Sequence, residues 1–234
     1  MQLSGDLLGL VLVYLYVFLV VVFSIIMRNR WDGDARRKFV HIAVGNIVFF
    51  WWIFDSAWVM AFLAAAPFVP LLLLVSPYSP IPRLRESILG KTSEQGHGLG
   101  LVMYAISWTV LAYVFFQDRI TASIGIVAMS YGDGLGGYIG KRYGKRRIFR
   151  NKSLEGSFAV FLATVISTFL IIEYYSFLSQ NGFFSAVIPG LLGVIQISLI
   201  TGILVSIVEL ITPGEIDNLV IPLLTSGLLY LLGI

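Results

Sequence analysis

The chain contains no cysteine. Disulfides, thiolate metal sites and a cysteine nucleophile are therefore excluded. Charge is scarce too: Asp, Glu, Lys and Arg make up 12% of the 234 residues, against roughly 25% in a soluble globular protein. Ten-residue segments of alternating hydrophobicity, the mark of a membrane β-barrel, are missing. What is there is apolar: 58% of residues are hydrophobic, and mean hydropathy is +0.89. A soluble domain of this length has too little interior to hide so much apolar surface. A soluble globular enzyme, a disordered chain and a disulfide scaffold are all excluded. The composition predicts an all-α fold, a polytopic transmembrane helical bundle, with 1–234 forming one integral membrane domain.

A helix needs roughly 20 apolar residues to cross a hydrocarbon core of about 30 Å. The apolar runs predict eight spans, near 6–27, 38–54, 56–75, 98–116, 120–140, 156–173, 184–209 and 218–233. The seventh carries Pro189 and Gly190 near its start. A kinked or interfacial segment there would reduce the count to seven. The first run has no positive n-region and no small-residue cleavage site, so it is expected to be retained.

Fifteen of the 16 Lys and Arg residues fall in three loops, 28–38, 76–97 and 141–155. The positive-inside rule places these loops in the cytoplasm and the N-terminus outside. The loop 210–217 then also falls on the cytoplasmic side. Nearly all polar residues able to do chemistry lie in or beside these four loops, so a site meeting cytoplasmic solutes at the membrane surface is expected.

The richest segment runs from Gly132-Asp133-Gly134 to Arg147 and on to Lys152-Ser153-Leu154-Glu155-Gly156. Glycines let backbone N–H groups approach phosphate oxygens, and Lys and Arg neutralise phosphate charge. A carboxylate such as Asp133 can hold Mg²⁺ between those oxygens. Gly132, Gly136, Gly140 and Gly144 are also spaced by four, the small-residue face of a packed membrane helix. Packing and phosphate contact are both open at this level. Asp133 is harder to explain structurally, because a carboxylate beside an apolar span is costly. The order of residues is not that of the soluble P-loop. Ser153 is expected to cap the sixth helix, with Glu155 in its first turn.

Two further blocks carry candidates. Arg37-Lys38-Phe39-Val40-His41 opens the second span, and Arg37 and His41 share a helix face. His41 is a phosphate ligand, a proton carrier or a satisfied core histidine. Glu209 ends an apolar helix where a carboxylate is unfavourable. Asp217-Asn218 with Pro222 reads as a helix start. Glu94-Gln95-Gly96-His97 before the fourth span is a weaker signal, explained by a loop and a helix start.

Arg37-Lys38-x-x-His41-x-x-x-Gly45, then Gly132-Asp133 to Gly144 with Lys152-Ser153-Leu154-Glu155-Gly156-Ser157, then Glu209 with Asp217-Asn218-x-x-x-Pro222 form three ordered blocks. In this order they resemble the membrane-embedded polyprenol kinases, which include dolichol, phytol and CTP-dependent diacylglycerol kinases. The resemblance covers about residues 36–222. Gly136 departs from it where alanine is common. The resemblance implies transfer of the γ-phosphoryl group of CTP to a membrane-borne prenol, giving prenyl phosphate and CDP. It implies Mg²⁺ held by Asp133 and Asp217, with Glu155 or Glu209 assisting. Lys152, Arg37 and Lys38 would clamp phosphates, the backbone of Gly132–Gly144 would approach the triphosphate, and Ser153 and Asn218 would assist nucleotide binding. Asp133 or His41 would accept the alcohol proton. Membrane lipids are expected neighbours, a homo-oligomer is compatible with the glycine stripe, and no nucleic acid is expected. The size and the lack of a plastid transit segment favour a prokaryotic cell membrane.

The nearest rival is a cytidylyltransferase making a CDP-lipid, but its clustered C-terminal aspartates are missing. A transporter would place polar groups at mid-bilayer and break helices there. Here the ionisable residues gather at one surface.

Overall fold

The computed structural model describes residues 4–85 and 98–233. The part of the predicted 76–97 loop from 86 onward, with Lys91 and the Glu94–His97 motif, lies outside the described residues. By contacts along the backbone the chain divides into two units: Met1–Phe116 with Gly214–Leu219, and Gln117–Pro213 with Val220–Ile234.

In the first unit, α1 spans Gly5–Ile26 and α2 spans Gly33–Gly45. Each starts at a side-chain cap: Ser4 accepts from the Leu7 amide and Asp32 from the Ala35 amide, satisfying donors that a helix start leaves open. A π-helical stretch Val59–Ala65 leads to α3, Phe68–Leu74, and α4 spans Gly100–Val114. The Tyr16 hydroxyl donates to the Ala43 carbonyl at 2.8 Å. At one end of α1 the Asp6 carboxylate accepts the amides of Asp55 and Ser56. The chain from α2 to Ser56 therefore returns antiparallel along α1.

In the second unit, α5 spans Arg119–Val127 and passes through π-helical turns at Ala128–Asp133 into α6, Gly134–Tyr143. A small antiparallel hairpin, β1 Arg147–Phe149 and β2 Lys152–Ser153, precedes α7, Leu154–Gln180. Then come α8, Leu191–Ile211, and α9, Asp217–Leu231, whose first three residues group with the first unit.

Several predicted boundaries change. The second span is α-helical only to Gly45 and then tightens into 3₁₀ turns at Asn46–Phe49 and Trp51–Ile53. Asn46 directs its amide at the Tyr16 hydroxyl there. The seventh helix does not begin at 184. Pro189 disfavours helix in the residue before it, Gly190 is extended, and α8 starts at Leu191. The Glu173–Asn181 stretch, expected as a loop, is the end of α7, where Tyr175 is buried and bonded by the Ser123 hydroxyl. The hairpin adds a β element to a chain predicted all-helical.

Among the described residues, three helical stretches, Gly5–Asn29, Leu154–Gln180 and Leu191–Ile211, are long and apolar enough to cross a membrane, and shorter apolar helices accompany them. Their faces run opposite to those of soluble helices. On α7, Phe158, Leu162, Ile166 and Leu170 are exposed while Thr164, Ser167 and Thr168 are buried. On α8, Leu199, Ile203 and Ile207 are exposed while Ser198 and Thr201 are buried. Large apolar side chains outward and small or hydroxyl-bearing ones inward is the arrangement of helices packing in lipid. The chain is a helical membrane protein.

The closest approach in the second unit is between α6 and α7. A Cβ at Gly136 would lie 2.1 Å from Val160 Cγ2, and one at Gly140 would lie 3.1 Å from the Gly156 Cα. The glycine stripe is thus used for packing inside the chain. Gly136→Leu should force the two helices apart and cost about 1–3 kcal/mol, read as a lower unfolding temperature in detergent. Gly227→Ala, where a Cβ meets nothing within 4 Å, should be neutral or mildly stabilising.

Candidate functional site

The second unit gathers most of the predicted site residues at one end. The direction of each helix follows from its neighbours. Gly132 faces Thr164 and Val205, Gly136 faces Val160, and Gly140 faces Gly156. So α6 runs antiparallel to α7 and parallel to α8. Asp133 then lies between the levels of Val205 and Glu209, about one 5.4 Å turn apart. The same end carries the hairpin and the start of α7.

Glu209 is 3% exposed. Its partner is Lys152, whose ammonium donates to Glu209 Oε1. The pair joins β2 to the last turn of α8. Lys152 is the more exposed member, with 29% of its side chain accessible against 4% for Glu209. A carboxylate at a helix C-terminus inside a membrane protein is unfavourable alone. The lysine neutralises it, and the geometry lets the ammonium meet solutes.

The hairpin that delivers Lys152 depends on local chemistry. Arg150 takes the left-handed conformation, with φ of 47°, at the turn. The Leu154 amide donates to the Arg146 carbonyl at 2.8 Å. Glu155 Oε2 accepts the amides of Lys145 at 3.0 Å and Arg146 at 3.2 Å. Ser153, 2% exposed, caps α7 by accepting the Gly156 amide at 3.1 Å. A Cβ at Gly144 would lie 2.3 Å from that same Ser153 hydroxyl, so only glycine lets the chain leave α6 along this path. As expected, Ser153 is a cap and Glu155 is in the first turn. Glu155 also holds the basic segment.

Asp133 ends the π-helical turns and is half-buried. Among the described residues its carboxylate caps nothing and has no other partner. π-Helical turns inside α-helices occur often at functional sites, and here they end on a carboxylate at the start of α6, the helix whose last turn carries Lys141 and Arg142. That fits a metal held by one or two carboxylates and by phosphate oxygens, the usual manner of Mg²⁺. Among the described residues, no three His, Asp or Glu side chains gather as a metal-holding group. Gly136 and Gly140 lie within an α-helix, which engages their backbone amides.

The first unit carries the other candidates. Arg37 pairs with Asp34 at 3.3 Å, while its buried Nε has no partner among the described residues. His41 is 5% exposed. Its ring lies 4.5 Å from the Tyr104 ring, and the Tyr104 hydroxyl donates to the His41 carbonyl at 2.9 Å. Lys38 is partly buried. Asp217 and Asn218 are buried at the start of α9. The Asn218 amide donates to Asp217 Oδ1, the Asn218 carbonyl accepts from Ser107, and Asn218 Oδ1 has no partner among the described residues. Tyr104 and Ser107 gave no signal in the sequence, because both sit inside an apolar run. The Lys152–Glu209 pair was equally invisible, its members being 57 residues apart.

The chain is 34% identical over 164 residues to the phytol kinase of Synechocystis sp., covering 66% of each protein. It is 28% identical over 216 residues to a probable chloroplastic phytol kinase of Oryza sativa, covering 88% of this chain and 66% of that one. It is 28% identical over 162 residues to the chloroplastic phytol kinase 1 of Arabidopsis thaliana, covering 65% of this chain and 53% of that one. The matches span about half to two thirds of the length of these relatives. No protein-family model and no solved structure matches the chain. With the three motif blocks and the helical membrane fold, the likeness to the cyanobacterial protein places the chain in the polyprenol/phytol kinase family.

Proposed function

We propose that the protein is a lipid-alcohol kinase of the membrane, transferring the γ-phosphoryl group of a nucleoside triphosphate, CTP, to a prenol-type alcohol. The products are the prenyl phosphate and CDP. The observation that carries this reading is a carboxylate without a partner among the described residues, Asp133, at the start of α6 in the same unit as a lysine, Lys152, held by the buried Glu209. Phosphoryl transfer asks for positioning and charge neutralisation more than for covalent chemistry. The relatives named phytol kinase support the acceptor class. The concentration of Lys and Arg in the loops 28–38, 76–97 and 141–155 supports a cytoplasmic site and an external N-terminus.

In this reading Asp133 holds Mg²⁺, which supplies neutralising charge to the phosphates when bound. Lys152 donates to the phosphate oxygens, and Glu209 keeps its ammonium in place. Glu155 tethers the Lys145–Arg146 amides and orders the basic segment. In the first unit, Arg37 and Lys38 have the charge for phosphate. His41 has the imidazole for the proton of the alcohol, and Asp217 and Asn218 keep the roles that the family likeness implies.

The direct test incubates the purified protein in detergent with Mg²⁺, geranylgeraniol and either γ-labelled CTP or ATP. Label should pass from CTP into an organic-extractable phosphate. Transfer from ATP alone would overturn the donor. Pyrophosphate release with a CDP-lipid product would overturn the kinase.

Asp133→Asn should leave the unfolding temperature near normal and lower turnover on the order of a hundredfold or more, about 3 kcal/mol of barrier. Near-normal turnover would remove Asp133 from the site.

Lys152→Met should destabilise the fold by about 3–5 kcal/mol, because it strands a buried carboxylate. Adding Glu209→Leu should restore the unfolding temperature without restoring turnover. Recovery of activity in the double variant would make the pair purely structural.

A further inference from the structure

The first unit carries a partly open cavity of about 360 Å³ whose wall is almost wholly apolar. It is within the roughly 300–1,000 Å³ range of small-molecule sites. Its two ends differ. Ser24 of α1 and Arg37 and His41 of α2 line one end, and Trp51, Phe54 and Ala112 line the other. The side-chain pairings fix this order. His41 meets Tyr104, and Trp51 meets Trp108 one turn further along α4. Along α1 the lining runs from Val13 to Ser24, about 16 Å at 1.5 Å per residue. That is close to the roughly 15 Å of a single leaflet's hydrocarbon. The far end is closed: Trp51, Phe54 and Ala112 are 1%, 2% and 1% exposed. At the near end the Arg37 Nε is buried and, among the described residues, has no hydrogen-bond partner.

A cavity one leaflet long, apolar throughout, with a cation at one end and a closed floor at the other, takes a single hydrocarbon chain carrying one polar head. From this we infer that the cavity holds the chain of the alcohol acceptor. The hydroxyl, or the phosphate it becomes, lies at Arg37 and His41. The tail reaches Ala112 and Phe54, which set its length. The inference rests on the kinase reading for the identity of the head group, and on the cavity alone for the tail. The cavity's length favours a chain that ends at this floor over long polyprenols that would run into it.

The test uses the full chain in detergent without nucleotide. A geranylgeraniol analogue carrying a diazirine at the tail is photo-activated, and the labelled peptides are mapped. Label should appear around Trp51–Phe54 and Trp108–Ala112, and excess geranylgeraniol should compete it away. Label confined to exposed faces such as that of α8, or label that geranylgeraniol does not displace, overturns the assignment even if the protein transfers phosphate. Competed label in the cavity together with no transfer from CTP or ATP leaves the chain site standing and removes the kinase reading instead.

Length selection gives a second readout. Ala112→Phe should raise the ratio of geraniol to geranylgeraniol turnover at least tenfold, and Phe54→Ala should shift the preference towards longer prenols. Equal losses at every chain length in both variants would overturn the assignment of the floor.

Discussion

The structure of the second unit depends on one close approach, that of α6 to α7 at Gly136–Val160 and Gly140–Gly156. In lipid, helices gain little by burying apolar side chains against one another, so dispersion at short range and hydrogen bonding do that work. Glycines bring the two backbones near enough for it. The same contact fixes where the chain must turn. Gly144 leaves α6 against the Ser153 hydroxyl, Ser153 starts α7, and the hairpin between them delivers Lys152 to Glu209. Packing and site are therefore not separate properties of the Gly132–Gly156 segment. A side chain added for stability elsewhere on α6 would be tolerated, but one added on this stripe would displace the hairpin and Lys152.

A second constraint is the desolvation of charge. Buried carboxylates are costly in a membrane protein, and the chain treats its acidic residues in different ways. Glu209 is matched with Lys152, Glu155 with two backbone amides, and Asp6 with two more. Each has a structural account. Asp133 is half-buried and has no such account among the described residues. Glu173 is half-buried and without a partner among the described residues as well, so the Gly132-Asp133 motif, rather than the missing partner, is what singles Asp133 out as the ligand candidate.

Much of this was legible in the sequence and some was not. The membrane class followed from the apolar excess, and the order of helices from the apolar runs, with the cap at Ser153 expected at the start of one of them. The spacing of Gly132, Gly136, Gly140 and Gly144 announced a packed face, but not which helix it faces. Boundaries failed where local chemistry competed with hydropathy. Pro189 and Gly190 are flanked by apolar residues yet end the helix. Tyr175 looks like an interfacial residue yet is buried. The π-helical turns before Asp133 have no sequence signature, because they arise from accommodating one extra residue per turn against neighbours. The cavity in the first unit was illegible for a similar reason. Its walls are Val, Leu, Phe and Trp residues that read as ordinary core, and only the fold shows that they leave space.

On the proposed kinase reading, metal and triphosphate meet this chain at Asp133. Metal-directed backbone cleavage tests it most directly. Fe²⁺ replaces Mg²⁺ in the presence of CTP, and ascorbate and peroxide generate radicals at the bound metal. The account predicts nucleotide-dependent cuts flanking Asp133, lost in Asp133→Asn. Cuts that map elsewhere, or that persist unchanged in that variant, would contradict it.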